Sequence, residues 1–241
     1  PVSVAVLSRS GVSAPEHLAI DSRLVVISAP GKGVARTLCY GVNHPELTAE
    51  DVFVANASCT THCLAQVAKV LDDTFGIETG YMTTIHAYTG DQPTHDSPHR
   101  DPYRGRAAAL SMVPTSTGAA AAISEVIPHL KGVLEGSAVR VPTANVSLVD
   151  LCIMPKKPAT AEAVNAAMQE AANGAMKGVL AYEPAPLVST DFNHDPHSST
   201  LAPDQTRVTE GGMIRVVSWY DNEWGFSNRM NDTARAIAAL I

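Results

Sequence analysis

The 241-residue chain is 45% hydrophobic and 17% charged, with enough apolar material for a sizeable core in one large domain or two small ones. A formal net charge of −7, with 17 Lys and Arg scattered along the chain, leaves no footprint for nucleic acid or an anionic membrane, and no apolar run reaches the roughly 18 residues of a spanning helix. Four cysteines are too few for a disulfide scaffold, so free thiols in a soluble cytoplasmic protein are expected.

Pro1 is followed at once by a strand-like run, residues 2–7, which reads as the start of a fragment. Ser13-Ala14-Pro15-Glu16 has the order of a capping box and predicts a short helix. Residues 24–28 form a second apolar strand, stopped by Ala29-Pro30-Gly31, and residues 52–55 form a third. Continuous rather than alternating apolar runs predict a parallel sheet covered on both faces. Gly31-Lys32-Gly33-Val34-Ala35-Arg36 begins like a dinucleotide fingerprint, but it ends in arginine with no helical stripe behind it and reads as a loop.

Ser58 is placed as the N-cap of a helix whose apolar positions are Leu64, Val67, Ala68, Leu71 and Phe75, and Gly76 ends it. Residues 77–87 read as a strand, and residues 88–106 as a polar, proline-bearing loop of the length that usually carries function. Residues 118–127 and 160–173 read as helices, with strands at 138–141 and 145–154 between them and another at 213–220. The final helix, residues 225–241, carries Phe226, Met230, Ala234, Ile237 and Ile241 on one stripe. From about residue 77 onward strands and helices no longer alternate regularly, which predicts an α+β domain after the α/β start.

Cys59 follows the N-cap directly, where unpaired N–H groups and the helix dipole favour an anion, so a lowered thiol pKa and a nucleophilic role are expected. The alternative is a buried structural cysteine. Cys63 lies one turn deeper and reads as packing. Cys59, His62 and Cys63 could begin a metal clip, but no second ligand pair completes four ligands, and no metal is expected. His86, at the end of the strand 77–87, is the best-placed base for the thiol. His95 and His99 in the polar loop are weaker candidates, and Asn193-His194-Asp195-Pro196-His197 reads as a solvated turn. Thr89, Arg104, Thr117-Gly118 at a helix start and Arg140 are residues of the kind that bind small anions. His62, three residues from Cys59, is expected to share its face and to perturb its titration.

Several stretches in order, Asn56-Ala57-Ser58-Cys59-Thr60-Thr61, Met82-Thr83-Thr84-Ile85-His86-Ala87-Tyr88-Thr89, Pro114-Thr115-Ser116-Thr117-Gly118-Ala119-Ala120, Arg140-Val141-Pro142-Thr143, Asp191-Phe192-Asn193 and Trp219-Tyr220-Asp221-Asn222-Glu223, make the chain resemble the phosphorylating glyceraldehyde-3-phosphate dehydrogenase family, including erythrose-4-phosphate dehydrogenase. The resemblance runs nearly end to end. It implies a partial Rossmann-like parallel sheet, residues 1–58, then a catalytic domain, residues 59–224, with a mixed, largely antiparallel sheet and helices on one face, and a C-terminal helix, residues 225–241, returning to the nucleotide domain.

The resemblance further implies that Cys59 attacks an aldehyde, that His86 takes its proton and holds the thiolate as an ion pair, and that hydride transfer to NAD leaves a thioester which inorganic phosphate cleaves. Thr89 and Arg140 would bind the substrate phosphate. Ser58, Thr60, Thr117, Gly118 and Arg104 would bind the attacking phosphate, with Arg106 a neighbour that could replace Arg104. Ser10, Gly11, Ser28 and Asn222 would line the cofactor. A homotetramer is the implied assembly, with a phosphorylated aldehyde and inorganic phosphate as its small-molecule partners.

The departures from the pattern are equally specific. About a hundred residues that precede this start in the family, with the glycine fingerprint, are not in the sequence, so weak NAD binding or none is expected. His62 replaces an asparagine, and Gly90 stands where bacterial relatives often carry asparagine. Thr117-Gly118 favours glyceraldehyde 3-phosphate over erythrose 4-phosphate as substrate. A non-catalytic remnant and a thiol-dependent hydrolase are the competing readings.

Overall fold

The apolar runs near the N-terminus pair side by side. In the computed structural model, which describes residues 4–7, 24–31, 33–51 and 53–240, strands β1 (Val4–Leu7), β2 (Leu24–Ile27), β3 (Arg36–Thr37) and β4 (Phe53–Ala55) form a sheet in the order β1-β2-β4-β3 with every pairing parallel. Successive side chains point to opposite faces, and both faces are covered. Val26 and Val54 pack with Leu38, Leu47 and Ile237, while Val25, Ile27, Phe53 and Ala55 form a second cluster. The helix expected after Ser13, and the cofactor candidates Ser10 and Gly11, lie outside the described residues. The loop that begins at Gly31 leads into β3, a two-residue strand with no signal of its own in the sequence.

Helix α1 (Cys59–Phe75) starts at Ser58, whose side chain accepts from the Thr61 N–H, and stops at Gly76, which sits at φ 70° where a side chain would be strained. It is buried nearly all round and packs against α2 (Ala119–Val126), α3 (Ala161–Asn173) and one face of a larger sheet. Gly118 and Thr160, the first residues of the expected ranges, are the N-caps of α2 and α3, which begin one residue later.

The larger sheet holds β5 (Ile77–Ala87), β6 (Val113–Ser116), β7 (Leu134–Val141), β8 (Ser147–Pro155), β9 (Leu180–Tyr182), β10 (Ser199–Leu201), β11 (Arg207–Val208) and β12 (Ile214–Tyr220). Its order is β6-β7-β5-β8-β12-β10-β9, with β11 on β12. Pairing is antiparallel except for β5 with β7 and β9 with β10, so the sheet is mixed and largely antiparallel. Met82, Leu151, Ile153 and Val216 face the helices in one core cluster with Leu64, Leu71 and Met168. The other face is half-exposed, with Tyr81 at 49%.

Helix α4 (Trp224–Ala238) departs from the expected stripe. Gly225, Arg229, Thr233 and Ile237 are its buried residues, whereas Phe226, Met230 and Ala234 are only half-buried. The cause is tertiary: Gly225 lies so close to the His197 carbonyl that a Cβ there would be 2.6 Å from it. The Arg229 guanidinium reaches the Gly178 carbonyl and Asp232 and lies over the Tyr40 ring. Ile237 returns the helix to Val26 and Val54 of the small sheet.

Candidate active site

The chain turns sharply between β4 and α1. Ala57 takes a positive φ of 49°, unusual for a residue with a side chain. Asn56 holds the turn from both sides: its side-chain oxygen accepts from Thr233 of α4 at 2.7 Å, and its backbone carbonyl accepts from His62 Nε2 at 3.0 Å. This puts Ser58 at the cap and Cys59 in the first turn, half-buried, where the open N–H groups of the helix face the same space.

His86 reaches the thiol from the end of β5, with Nε2 3.7 Å from Cys59 Sγ. Its Nδ1 lies between the Ala87 carbonyl at 2.7 Å and Arg140 Nη1 at 3.0 Å; the shorter contact, to an oxygen that can only accept, assigns the proton to Nδ1 and the Nε2 lone pair to the sulfur side, with the Arg140 cation held against that N–H. Arg140, from β7, donates through Nη1 to the same Ala87 carbonyl at 3.0 Å and to Thr89 Oγ1 at 3.3 Å.

Burial lowers the histidine to about 4, and the charges of Arg140 and Arg104 add to the effect against the Ala87 hydrogen bond. Burial also raises the Cys59 thiol, against the opposing pull of Thr60, backbone N–H groups and Arg140. The shifts run opposite to the lowered thiol pKa expected of a helix N-terminus: in this geometry desolvation outweighs the terminus and opposes both a thiolate on Cys59 and an imidazolium on His86.

Two arginines converge here. Arg104, from a short 3-10 turn in the loop 88–106, pairs with Asp91 at 2.6 Å, donates to Thr115 Oγ1 at 3.0 Å and reaches the Ser116 carbonyl at 3.3 Å, next to Thr117-Gly118 at the start of α2. Arg106 instead pairs with Asp96 on the surface, so the structure separates the two candidates by position. Thr117 Oγ1 accepts from the Ala119 N–H. Thr60 Oγ1 is 4.0 Å from Cys59 Sγ and 2.9 Å from Tyr220 Oη, which in turn lies 2.8 Å from Thr84 Oγ1.

Tyr220 is the residue at the site that reading for nucleophile and base passed over. Its hydroxyl joins α1 to β5, its ring meets His86 edge-on at 5.9 Å, and burial raises it well above its ordinary pKa so that it stays a donor. Its only sequence signal is its place in the stretch Trp219-Tyr220-Asp221-Asn222-Glu223. Asn222 is buried, and its Oδ1 accepts from Ser147 Oγ at 2.8 Å, while Ser147 accepts from the Ala87 N–H. Ser28 follows the carboxyl end of β2, where the Ile27 carbonyl binds the Asn56 N–H. That sheet end is where α/β folds place ligands.

His62 does not act on Cys59. Its Nε2 is committed to Asn56, its ring meets Phe226 edge-on at 5.8 Å, and burial with the nearby Arg229 charge lowers it to about 4. The expected perturbation of the thiol is thus replaced by a role in holding the turn. Cys63 is buried against Ser199 Oγ at 3.5 Å and the Ser218 carbonyl at 3.8 Å, and burial pushes its thiol up to about 12. His197 pairs with Asp195 at 2.6 Å, as expected of a turn.

A family profile described as glyceraldehyde 3-phosphate dehydrogenase, C-terminal domain, matches residues 58–222. Glyceraldehyde-3-phosphate dehydrogenase of Cereibacter sphaeroides is 60% identical over 228 residues, covering 95% of this chain and 68% of that protein. The enzyme of the same name from Xanthobacter flavus is 58% identical over 227 residues, 94% of this chain and 68% of the relative. That of Zymomonas mobilis subsp. mobilis is 56% identical over 230 residues, 95% and 68% respectively.

Proposed function

Because the chain belongs to the glyceraldehyde-3-phosphate dehydrogenase family, a family of oxidoreductases, we propose that it oxidises glyceraldehyde 3-phosphate with NAD and inorganic phosphate to give 1,3-bisphosphoglycerate. The observation that carries this reading is the Cys59 thiol at a helix N-terminus, 3.7 Å from an imidazole nitrogen whose lone pair faces it. Cys59 Sγ attacks the aldehyde carbon as His86 Nε2 removes the thiol proton, and the new oxyanion lies near the open N–H groups of α1. When bound, NAD supplies the hydride acceptor that takes the carbon on sulfur from the hemiacetal to the thioester level. Inorganic phosphate then attacks the thioester carbon, the C–S bond breaks, and the sulfur leaves as the acyl phosphate is released.

Arg140 with Thr89 is the proposed seat of the substrate phosphate. Arg104, Ser58, Thr60 and the Thr117-Gly118 start of α2 are proposed for the attacking phosphate. For the nicotinamide end the residues fit: Ser28 lies at the carboxyl end of β2, and Asn222 has its oxygen taken by Ser147 and its amide nitrogen to offer. The retained Thr117-Gly118 favours the three-carbon substrate. A cytoplasmic homotetramer is the proposed state; the four free cysteines suit a reducing compartment, and the half-exposed sheet face with Tyr81 and Met213 offers apolar surface for assembly. Among the described residues no helix is long and apolar enough to cross a membrane.

The test is NADH formation by the purified chain with NAD, phosphate and glyceraldehyde 3-phosphate. Activity that disappears in Cys59→Ala is expected, and a flat trace from wild type overturns the reading. A companion measurement needs no NAD: acetyl phosphate should acylate Cys59, read as one acetyl mass increment that is absent in Cys59→Ala.

A further inference from the structure

Val146, in the turn between β7 and β8, is 3% exposed and sits at φ 69°, where a β-branched side chain is a genuine outlier. Such strain persists only where the surroundings over-determine it, and it gathers at sites of function. The surroundings here do so. The Thr143 N–H folds back to the Val141 carbonyl at 2.7 Å, and the Asn145 side chain reaches Asn193 at 2.8 Å and Asp221 at 2.9 Å. What the turn delivers is Ser147, the first residue of β8, which is 1% exposed. The paired register of β5 with β8 ends at Ile85 and Leu148. Beyond that pair the Ala87 N–H donates to the Ser147 hydroxyl at 3.0 Å, and this hydroxyl gives its one proton to Asn222 Oδ1 at 2.8 Å. The Tyr88 N–H donates to the Thr143 carbonyl at 3.1 Å, so the peptides on both sides of Ala87 are tied to the turn and its flank.

We propose that this turn sets the tautomer of His86, with Ser147 as a positioning residue for the base. The Ala87 carbonyl belongs to a peptide so tied, and it competes with Arg140 for one ring nitrogen: His86 Nδ1 has the carbonyl at 2.7 Å and Arg140 Nη1 at 3.0 Å. The two neighbours make opposite demands. An accepting oxygen requires the proton on Nδ1, whereas a guanidinium N–H requires the Nδ1 lone pair and sends the proton to Nε2. The second arrangement aims an N–H at Cys59 Sγ, 3.7 Å away, and leaves no lone pair to take the thiol proton. The ratio of the tautomers therefore follows which neighbour approaches Nδ1 more closely, and the position of the Ala87 peptide decides that. Ser147 acts through this backbone and not on the reacting atoms. The inference rests on the base role of His86 given above, and its readout is the ring itself rather than turnover.

A long-range ¹H–¹⁵N correlation spectrum of the full chain at neutral pH separates protonated from bare ring nitrogens and gives the His86 tautomer ratio. Wild type should hold the proton on Nδ1. Ser147→Ala should shift the ratio toward Nε2–H about tenfold, the scale of one buried hydrogen bond, and Ser147→Thr, which restores the hydroxyl, should return it. Asn145→Ala frees the turn from Asn193 and Asp221 while leaving Ser147 in place. It should shift the ratio the same way, and it serves where Ser147→Ala does not fold. A wild-type proton on Nε2, an unchanged ratio in folded Ser147→Ala, or an unchanged ratio in Asn145→Ala overturns the proposal. Acylation of Cys59 by acetyl phosphate tests the base reading separately. A wild type that acylates while its tautomer ignores Ser147 defeats this inference alone. A tautomer that follows Ser147 in a chain that does not acylate supports the positioning role and removes the base reading.

Discussion

His62→Asn should flatten the acid limb of the stability curve. In the fold the His62 Nε2–H is committed to the Asn56 carbonyl, Nδ1 is buried without a partner among the described residues, and Arg229 lies near enough to oppose a second charge. Protonation would create a buried donor with nowhere to go, which is why the group is lowered to about 4 from an ordinary 6.5. At about 1.36 kcal/mol for each tenfold change, protonating it inside the fold costs about 3 kcal/mol more than in the unfolded chain. A depressed histidine contributes stability that is fully present above its unfolded pKa. That contribution is lost as pH falls from about 6.5 toward 4, because the unfolded chain then binds a proton that the fold refuses.

Between about pH 7 and about pH 5 the loss is about 2 kcal/mol for this one residue. Urea unfolding across that range measures it. The wild-type curve should drop by about 2 kcal/mol more than the His62→Asn curve, whatever the offset between them at neutral pH. Parallel curves would refute the assignment. The same variant should leave the pH profile of Cys59 alkylation by iodoacetamide unchanged, since His62 faces away from the thiol.

Other substitutions probe the parts that hold the nucleophile. Ser58→Ala removes the acceptor for the Thr61 N–H and should cost about 1 kcal/mol in urea unfolding, with slower alkylation of Cys59 as the first turn loosens. Tyr220→Phe deletes the hydroxyl between Thr60 and Thr84; a loss of about 1 to 2 kcal/mol is expected from the two threonines left without that partner, together with reduced turnover. Gly225→Ala places a Cβ 2.6 Å from the His197 carbonyl and should lower thermal stability by about 1 to 3 kcal/mol as α4 shifts.

The long elements were legible in the sequence because local pattern and tertiary environment agree there. Ser58, Gly76, Thr160 and the run from Ile77 to Ala87 act in the structure as their types suggest. The short strands were not legible. Leu180–Tyr182 and Ser199–Leu201 are three residues each and become strands only because they pair with one another and the second pairs with β12. The stripe on α4 was misplaced by one position, since periodicity assigns Phe226 and Met230 inward and cannot know that Arg229 finds a carbonyl, a carboxylate and a ring within the protein. At the site, residue types and motif order pointed to Cys59, His86, Arg140 and Thr89, which the fold brings together. Protonation states were not legible, because a helix N-terminus is visible in a sequence and the desolvation that opposes it is not.

With desolvation opposing charge on both Cys59 and His86, Arg140 is the neighbouring charge that tells them apart. Its charge acts in opposite senses on the two partners, helping a thiolate on Cys59 and hindering an imidazolium on His86. While the guanidinium is uncompensated, the proton that leaves sulfur has a poor destination. A phosphate placed on Arg140 and Thr89 offsets that charge, so His86 becomes more basic when the anion it must serve is present. Arg140→Gln should then raise the His86 pKa from about 4, and inorganic phosphate should raise it in the wild type but not in the variant. Imidazole titration by NMR measures both. If the His86 titration is the same in both proteins, with and without phosphate, Arg140 does not set the basicity of the histidine, and the coupling of anion binding to proton transfer is wrong.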